Sequence, residues 1–267
     1  MTARCISFAR VRARYVPVAA FLIACSGRDS ADTPALPPGM VRAASTTNAD
    51  AAPPQVPFDR ATPRLMARAL ASWPHDTAAY TQGLLVHDGR VYEGTGLAGQ
   101  SDVRQVELAT GAVHHRTALA APMFGEGIAI VGDRLYQLTW QHGRGYVYDS
   151  KTRAPVDSFT YTGEGWGLTT DGKRLYLSDG TSHVRVIDPT GFREERTFQV
   201  SETGKPVWFL NELEWVSGEL WANVYQTDLV ARIDPAKRLS SSTNRRSGTG
   251  SACSGTTSCS RISRSES

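Results

Sequence analysis

The chain has 267 residues, 40% of them hydrophobic and 21% charged, which is enough apolar matter for a packed core and excludes disorder throughout. The formal net charge of +3 sits at the two ends: residues 1–50 carry +3, residues 237–267 carry +5, and residues 51–236 carry −5. An acidic body offers no electrostatic footprint for phosphate backbones, which argues against a nucleic-acid partner. The four cysteines, Cys5, Cys25, Cys253 and Cys259, all lie outside residues 51–236. A disulfide-stapled core, a cysteine nucleophile and a thiolate zinc site are therefore excluded from the body. Six scattered histidines contain no H-x-x-x-H pair, and neither a metal nor a cofactor is expected.

The chain starts like an export signal over residues 1–25. Arg4, Arg10, Arg12 and Arg14 make a basic stretch, and Tyr15 to Ala24 is a mostly apolar run too short to span a bilayer. Leu22-Ile23-Ala24-Cys25 resembles the bacterial lipobox, in which the cysteine is lipidated and begins the mature chain. Cys25 is thus the expected lipidation site, the alternative being an ordinary cleaved signal. Residues 26–60, with six prolines among Ala, Thr and Asp, read as a disordered linker suited to tethering an exported, periplasmic or lipid-anchored domain.

Residues 61–236 carry an internal repeat. Leu84, Ile128, Leu168 and Leu213 are each followed eight residues later by an aromatic: Tyr92, Tyr136, Tyr176 and Trp221. Between anchor and aromatic stand Asp88-Gly89, Gly132-Asp133, Asp171-Gly172 and Ser217-Gly218, dipeptides of short β-hairpins. Asp149, Asp188 and Asp234 close the β-rich runs that follow. The anchors recur at 44, 40 and 45 residues, the size of a four-stranded propeller blade. The expected fold is an all-β propeller with four recognisable blades. An antiparallel sandwich with similar hairpins is the alternative.

Blades are related by rotation, so equivalent positions form a ring. Two residues before each anchor stand Gln82, Glu126, Trp166 and Asn211; four before stand Tyr80, Phe124, Glu164 and Phe209. Four after each aromatic stand Gly96, Trp140, Gly180 and Tyr225. One carboxylate, two carboxamides and several aromatics suit a small-molecule pocket. The competing reading is that the aromatics fill the core and the polar groups cap strand ends.

The same residues carry a resemblance. Tyr80-Thr-Gln-Gly-Leu84, Tyr92-Glu-Gly-Thr-Gly96, Phe124-Gly-Glu-Gly-Ile128, Leu135 to Trp140, Glu164-Gly-Trp-Gly-Leu168, Ser178-Asp-Gly180, Asn211-Glu-Leu-Glu214 and Trp221-Ala-Asn-Val224 resemble glutamine cyclotransferases of the plant and bacterial type. That resemblance implies a five-bladed propeller enzyme, distinct from the zinc-dependent animal enzymes. The implied reaction turns the amino-terminal glutamine of peptides or proteins into pyroglutamate with release of ammonia. It also implies that Glu126 is the catalytic acid/base, with substrate held by Tyr80, Gln82, Phe124, Trp140, Trp166, Asn211 and Tyr225. The family usually has Phe at Tyr80 and Trp at Tyr225, so each substitution adds a hydroxyl that needs a partner if buried. Glu93, Glu164, Glu212 and Glu214 are expected to be mainly structural, paired with backbone or arginine. A monomer is expected, and a non-catalytic peptide- or partner-binding propeller is the second reading.

The chain departs from the family at its end. Eleven of the last 31 residues are Ser, and residues 237–267 read as a disordered tail with no strand pattern. A family member would continue into a fifth blade and a late active-site lysine. The tail is read as a frameshift near Ala236, a natural disordered tail being the alternative. The outer strand expected over Leu65–Ser72 then finds no fifth blade to join, and blades one and four are expected to leave open edges. On that reading the polypeptide can also be an inactive truncated product.

Overall fold

Two tight turns show how the repeat is built. Asp88 and Gly89 have φ of 48° and 72°, and Ser217 and Gly218 have 51° and 89°, the left-handed pair that a two-residue hairpin requires. The structure, a computed structural model, describes residues 71–236 together with Leu65, Ala67 and three short strands outside that span. Two of these, β1 (Ile6–Phe8) and β2 (Ile23–Ala24), join β3 (Ala71–Trp73) in a small sheet of order β2-β1-β3.

The repeat then forms four blades. Blade one is β4 (Thr81–His87), β5 (Arg90–Thr95), β6 (Asp102–Val106) and β7 (Val113–Ala118). Blade two is β8 (Gly125–Val131), β9 (Arg134–Thr139), β10 (Arg144–Asp149) and β11 (Pro155–Thr160). Blade three is β12 (Leu168–Thr170), β13 (Leu175–Ser178), β14 (His183–Asp188) and β15 (Arg193–Glu202), extended by β16 (Lys205–Pro206). Blade four has three strands, β17 (Leu210–Val216), β18 (Glu219–Val224) and β19 (Leu229–Ile233). All pairings within blades are antiparallel between neighbours in sequence, and there is no helix among the described residues. The all-β propeller is therefore the observed fold.

Repeated contacts confirm the equivalence of the modules. The N–H groups of Gly96, Trp140 and Tyr225 donate to the carbonyls of Tyr80, Phe124 and Phe209 at 2.7, 3.0 and 2.9 Å, the same bond in three blades. Tyr92 and Tyr136 each send a hydroxyl to the next blade, to the carbonyls of Ser150 and Pro189, which follow the equivalent Asp149 and Asp188. All four anchors are buried. Hydrophobic clusters fill three seams: Tyr92, Val103, Ile128 and Leu135 between blades one and two; Tyr136, Leu138, Leu168 and Leu177 between two and three; Tyr176, Val200, Leu213 and Leu220 between three and four.

The fourth seam is built differently. A Cβ on Gly127 would meet Leu168 N at 2.5 Å, and one on Gly167 would meet Asn211 O at 2.3 Å, so glycine lets successive inner strands approach. In blade four the equivalent residue is Glu212, whose carboxylate is hydrogen-bonded by backbone N–H groups of Leu84 and Leu213. Blade four thus lies against blade one, and the inner strands close around one axis. The open edge expected of blade four is found at β19, which among the described strands pairs with β18 alone.

Two expectations are corrected, at the blade-three turn and in the tail, while the outer-strand segment joins no last blade, as expected. Blade three turns through four residues, 171–174, in place of a two-residue hairpin, because Asp171 Oδ1 accepts the N–H groups of Lys173 and Arg174. Within the expected outer strand Leu65–Ser72, Ala71 and Ser72 pair with Phe8 and Ser7 and not with the last blade. The adjoining Trp73 packs against Leu84, Val91 and Val106, and His75 Nε2 lies 2.9 Å from Glu93 Oε1, which holds this segment on blade one. Within the tail, β20 (Thr256–Ser258) pairs in parallel with β15, whose edge offers unpaired backbone groups to an extended segment. The remainder of the export signal with Cys25, the linker 26–60 and the rest of the tail lie outside the described residues.

Candidate active site

The inner strands carry a bulge at one repeated position. The pairing register shifts between Thr81 and Gly83, between Gly125 and Ile128, and between Leu210 and Leu213. Those irregularities contain Gln82, Glu126 and Asn211. A bulge bends a strand and re-aims a side chain, which explains why polar residues stand two places before buried anchors. In blade three the strand begins only at Leu168, so Trp166 precedes it.

Glu126 is 5% exposed, and its Oε1 accepts the Gln82 carboxamide N–H at 3.2 Å. Burial pushes its carboxyl well above the usual carboxylate range, and the charge of Glu164 pushes the same way. Beside this pair runs an arc of rings. Tyr80 meets Phe124 edge to face at 6.1 Å, and Phe124 meets Trp140 at 5.7 Å. Trp166 meets Tyr225 edge to face at 5.6 Å. Gly96 and Gly180 leave the space, since a Cβ there would lie 2.5 Å from the Phe124 ring and 2.6 Å from the Trp166 ring.

Tyr80 and Tyr225 are 48% and 44% exposed, so both residues stand at the rim of the arc. Asn211 occupies the matching bulge of blade four and is tied to blade three through its carbonyl, which accepts Ser178 Oγ–H at 2.7 Å. The contacts join Gln82 to Glu126, Tyr80 to Phe124 and Trp140, and Trp166 to Tyr225. Asn211 is placed by register and backbone.

Of the four neighbouring glutamates, Glu212 has the backbone partners expected, whereas Glu93 and Glu164 have others. Glu93 is held by His75 and Thr81. Glu212 takes backbone N–H groups, as expected for this class of pairing. Glu214 is pushed up to about 8 by burial. Glu164 pairs with neither backbone nor arginine: its Oε2 accepts both the Trp140 and Trp166 indole N–H groups at 2.8 Å, and its Oε1 accepts Gln141 Nε2 at 3.1 Å. The nearby Arg185 is taken by Glu194 and the Thr162 carbonyl. Reading Glu164 as a strand-end cap therefore missed its place in the site. One signal was present, since Glu164 is an acid in a column otherwise filled by Tyr80, Phe124 and Phe209.

A second polar group flanks the arc. Asp102, fully buried, receives Arg104 Nε at 2.6 Å and also Arg116 Nε, while Arg104 Nη1 reaches Asp76 at 3.0 Å. A cavity of about 230 Å³ beside it is lined by Asp76, Tyr80, Gly96, Gln100, Arg104 and Arg116. Among the described residues no cluster of three His, Cys, Asp or Glu side chains is arranged to hold a metal ion.

The arrangement offers one protonatable carboxyl under an aromatic wall with a carboxamide on its oxygen. That is equipment for moving a proton at a small bound amide. The family described as glutamine cyclotransferase matches residues 40–240. The chain is 43% identical over 168 residues to glutaminyl-peptide cyclotransferase of Arabidopsis thaliana, covering 62% of this chain and 52% of that protein. It thus spans about half the length of that curated relative. The fold is similar to the crystal structure of Myxococcus xanthus glutaminyl cyclase, with a TM-score of 0.58 and 38% identity over 61% of this chain and 69% of that one. The chain belongs to the glutamine cyclotransferase family.

Proposed function

We propose that this chain cyclises the amino-terminal glutamine of peptides or proteins to pyroglutamate, releasing ammonia. The observation that carries the reading is Glu126, buried, bonded to Gln82 and set beside the aromatic arc. Cyclisation joins the α-nitrogen to the carbon of the side-chain amide and breaks that carbon's bond to the amide nitrogen. The amine attacks in its neutral form, its ordinary pKa being about 7.7–8.0. Glu126, ionised, takes the proton from the attacking nitrogen and returns it to the departing one, so that ammonia leaves with the balance closed.

Gln82 and Asn211 hold the amide and the oxyanion that develops on its oxygen. Phe124, Trp140 and Trp166 confine the short glutamine side chain to a conformation in which amine and carbonyl meet. Tyr80 and Tyr225 form the rim, and the polar cavity beyond Tyr80 gives the rest of the peptide a place to lie. The activity is that of an acyltransferase working through a carboxyl group without a metal, in a monomer exported to the periplasm and anchored through lipidated Cys25.

Ammonia release from a glutamine-initiated dipeptide tests the reading, using the chain, its Glu126→Gln variant and a chimera carrying a relative's fifth blade. Turnover that disappears in Glu126→Gln supports catalysis. Peptide binding retained without turnover in every version, the chimera included, overturns it in favour of a binding propeller.

A further inference from the structure

The aromatic arc is continuous only through one carboxylate. Tyr80, Phe124 and Trp140 form one run of edge contacts from blades one and two, and Trp166 and Tyr225 form another from blades three and four. The two runs meet at Glu164 Oε2, which accepts an indole N–H from each side at 2.8 Å. Gln141 fills the other oxygen at 3.1 Å.

The backbone around Glu164 is pinned on both sides. Gly165 N–H donates to the Trp140 carbonyl at 3.0 Å and Trp166 N–H to the Ser178 carbonyl at 2.9 Å. Gly163, at φ +80°, makes the bend that precedes them. Gly165 lies against the Tyr161 hydroxyl, which itself accepts Thr139 N–H at 2.9 Å. From that backbone the carboxylate sits between two indoles from different blades. Hydrogen bonds to an ionised acceptor are about twice as strong as neutral ones, so both rings are oriented by the same charge.

We propose that Glu164 is a positioning residue of this site: it locks Trp140 and Trp166 into a single wall. The proposal rests on the cyclotransferase reading for its consequence in catalysis, but the clamp itself is a property of the folded chain. Gln82 from blade one is hydrogen-bonded to Glu126, and Tyr161 from the end of blade two, Glu164 from the loop before β12 and Glu212 from blade four act on it electrostatically. Of the two carboxylates, Glu164 alone touches the aromatic wall.

The test uses the full chain labelled on indole nitrogen and on glutamate carboxyl carbon, with Glu164→Gln and Gln141→Ala. In Glu164→Gln the indole N–H resonances of Trp140 and Trp166 both shift, and the titration midpoint of Glu126 moves to lower pH. A merely structural role perturbs the indoles and leaves that midpoint where it was, which overturns the proposal, as does movement of only one indole. If Glu164→Gln does not fold, exposed Gln141→Ala carries the test: release of Oε1 shifts both indoles in the same direction, and a shift of neither or only one overturns the clamp. None of these readouts needs turnover. A chain that makes no pyroglutamate leaves them standing, and one that makes it with unmoved indoles sinks the clamp alone.

Discussion

Gln82 Nε2 donates to Glu126 Oε1 across 3.2 Å, linking the inner strands of blades one and two at the same bulge position. The bond makes the carboxyl group one half of a pair whose other member can turn to a substrate amide. In Glu126→Gln the proton-carrying group is lost while the shape is kept. Pyroglutamate formation is expected to fall about 10²–10⁴-fold with peptide affinity little changed, read from ammonia release and from binding to the same peptide.

The pH dependence of stability follows from the buried acids. Burial raises Glu126, Glu212 and Glu214, the last from 4.5 to about 8. The folded chain therefore holds protons that the unfolded chain has released; their stability is present below about 4.5 and is lost as pH rises through each raised value, for Glu214 toward 8. Asp76, Asp149, Asp171, Asp188 and Glu194 are lowered by hydrogen bonds and nearby cations, so their contribution is lost only at more acidic pH. Urea melts of the wild type are expected to weaken between pH 5 and 8, and Glu214→Gln to flatten that decline. A slope unchanged by the substitution contradicts the assignment.

Glycines of two kinds separate by cost. Gly127→Ala places a methyl group 2.5 Å from Leu168 N and 2.6 Å from Trp166 O, both backbone atoms of the next blade. It is expected to cost about 3 kcal/mol, the upper range of overpacking. Gly132→Ala meets nothing within 4 Å but keeps a φ of +57°, which costs roughly 1 kcal/mol. Thermal melts that rank the two the other way contradict close approach at the seam.

Asp102 ties β6 to β7 through Arg116 and, through Arg104, to Asp76 in the segment before β4. Asp102→Asn keeps its volume and strips the charge that Arg104 and Arg116 share, leaving the 5% exposed Arg104 side chain with Asp76 alone. Breaking a buried pair in this way costs about 3–5 kcal/mol. Denaturant unfolding of Asp102→Asn against Arg116→Ala checks it, because the half-exposed Arg116 is expected to cost far less.

Much of the architecture could be read from residue spacing. The anchors, turn dipeptides and aromatics of four blades repeat because each blade solves the same burial problem, and rotation turns that repeat into a ring. The site positions followed from the same arithmetic, since a residue two before a buried anchor falls on an inner strand in blades one, two and four and just before it in blade three. Glu164 was misread because its partners, two indoles 24 and 2 residues away, become neighbours only after blades two and three pack.

The amino-acid order by itself determined the β period, the number of recognisable modules and the types of residue that each module presents to the axis. Those are local properties, set by turn chemistry and by alternation along a strand. How blade four meets blade one was decided only in three dimensions, where Glu212 takes the Leu84 N–H of blade one in the place that glycine keeps elsewhere. The raised proton affinity of Glu126 and the clamp at Glu164 were decided there too, because desolvation and shared hydrogen bonds depend on side chains distant in sequence that packing brings within a few ångströms.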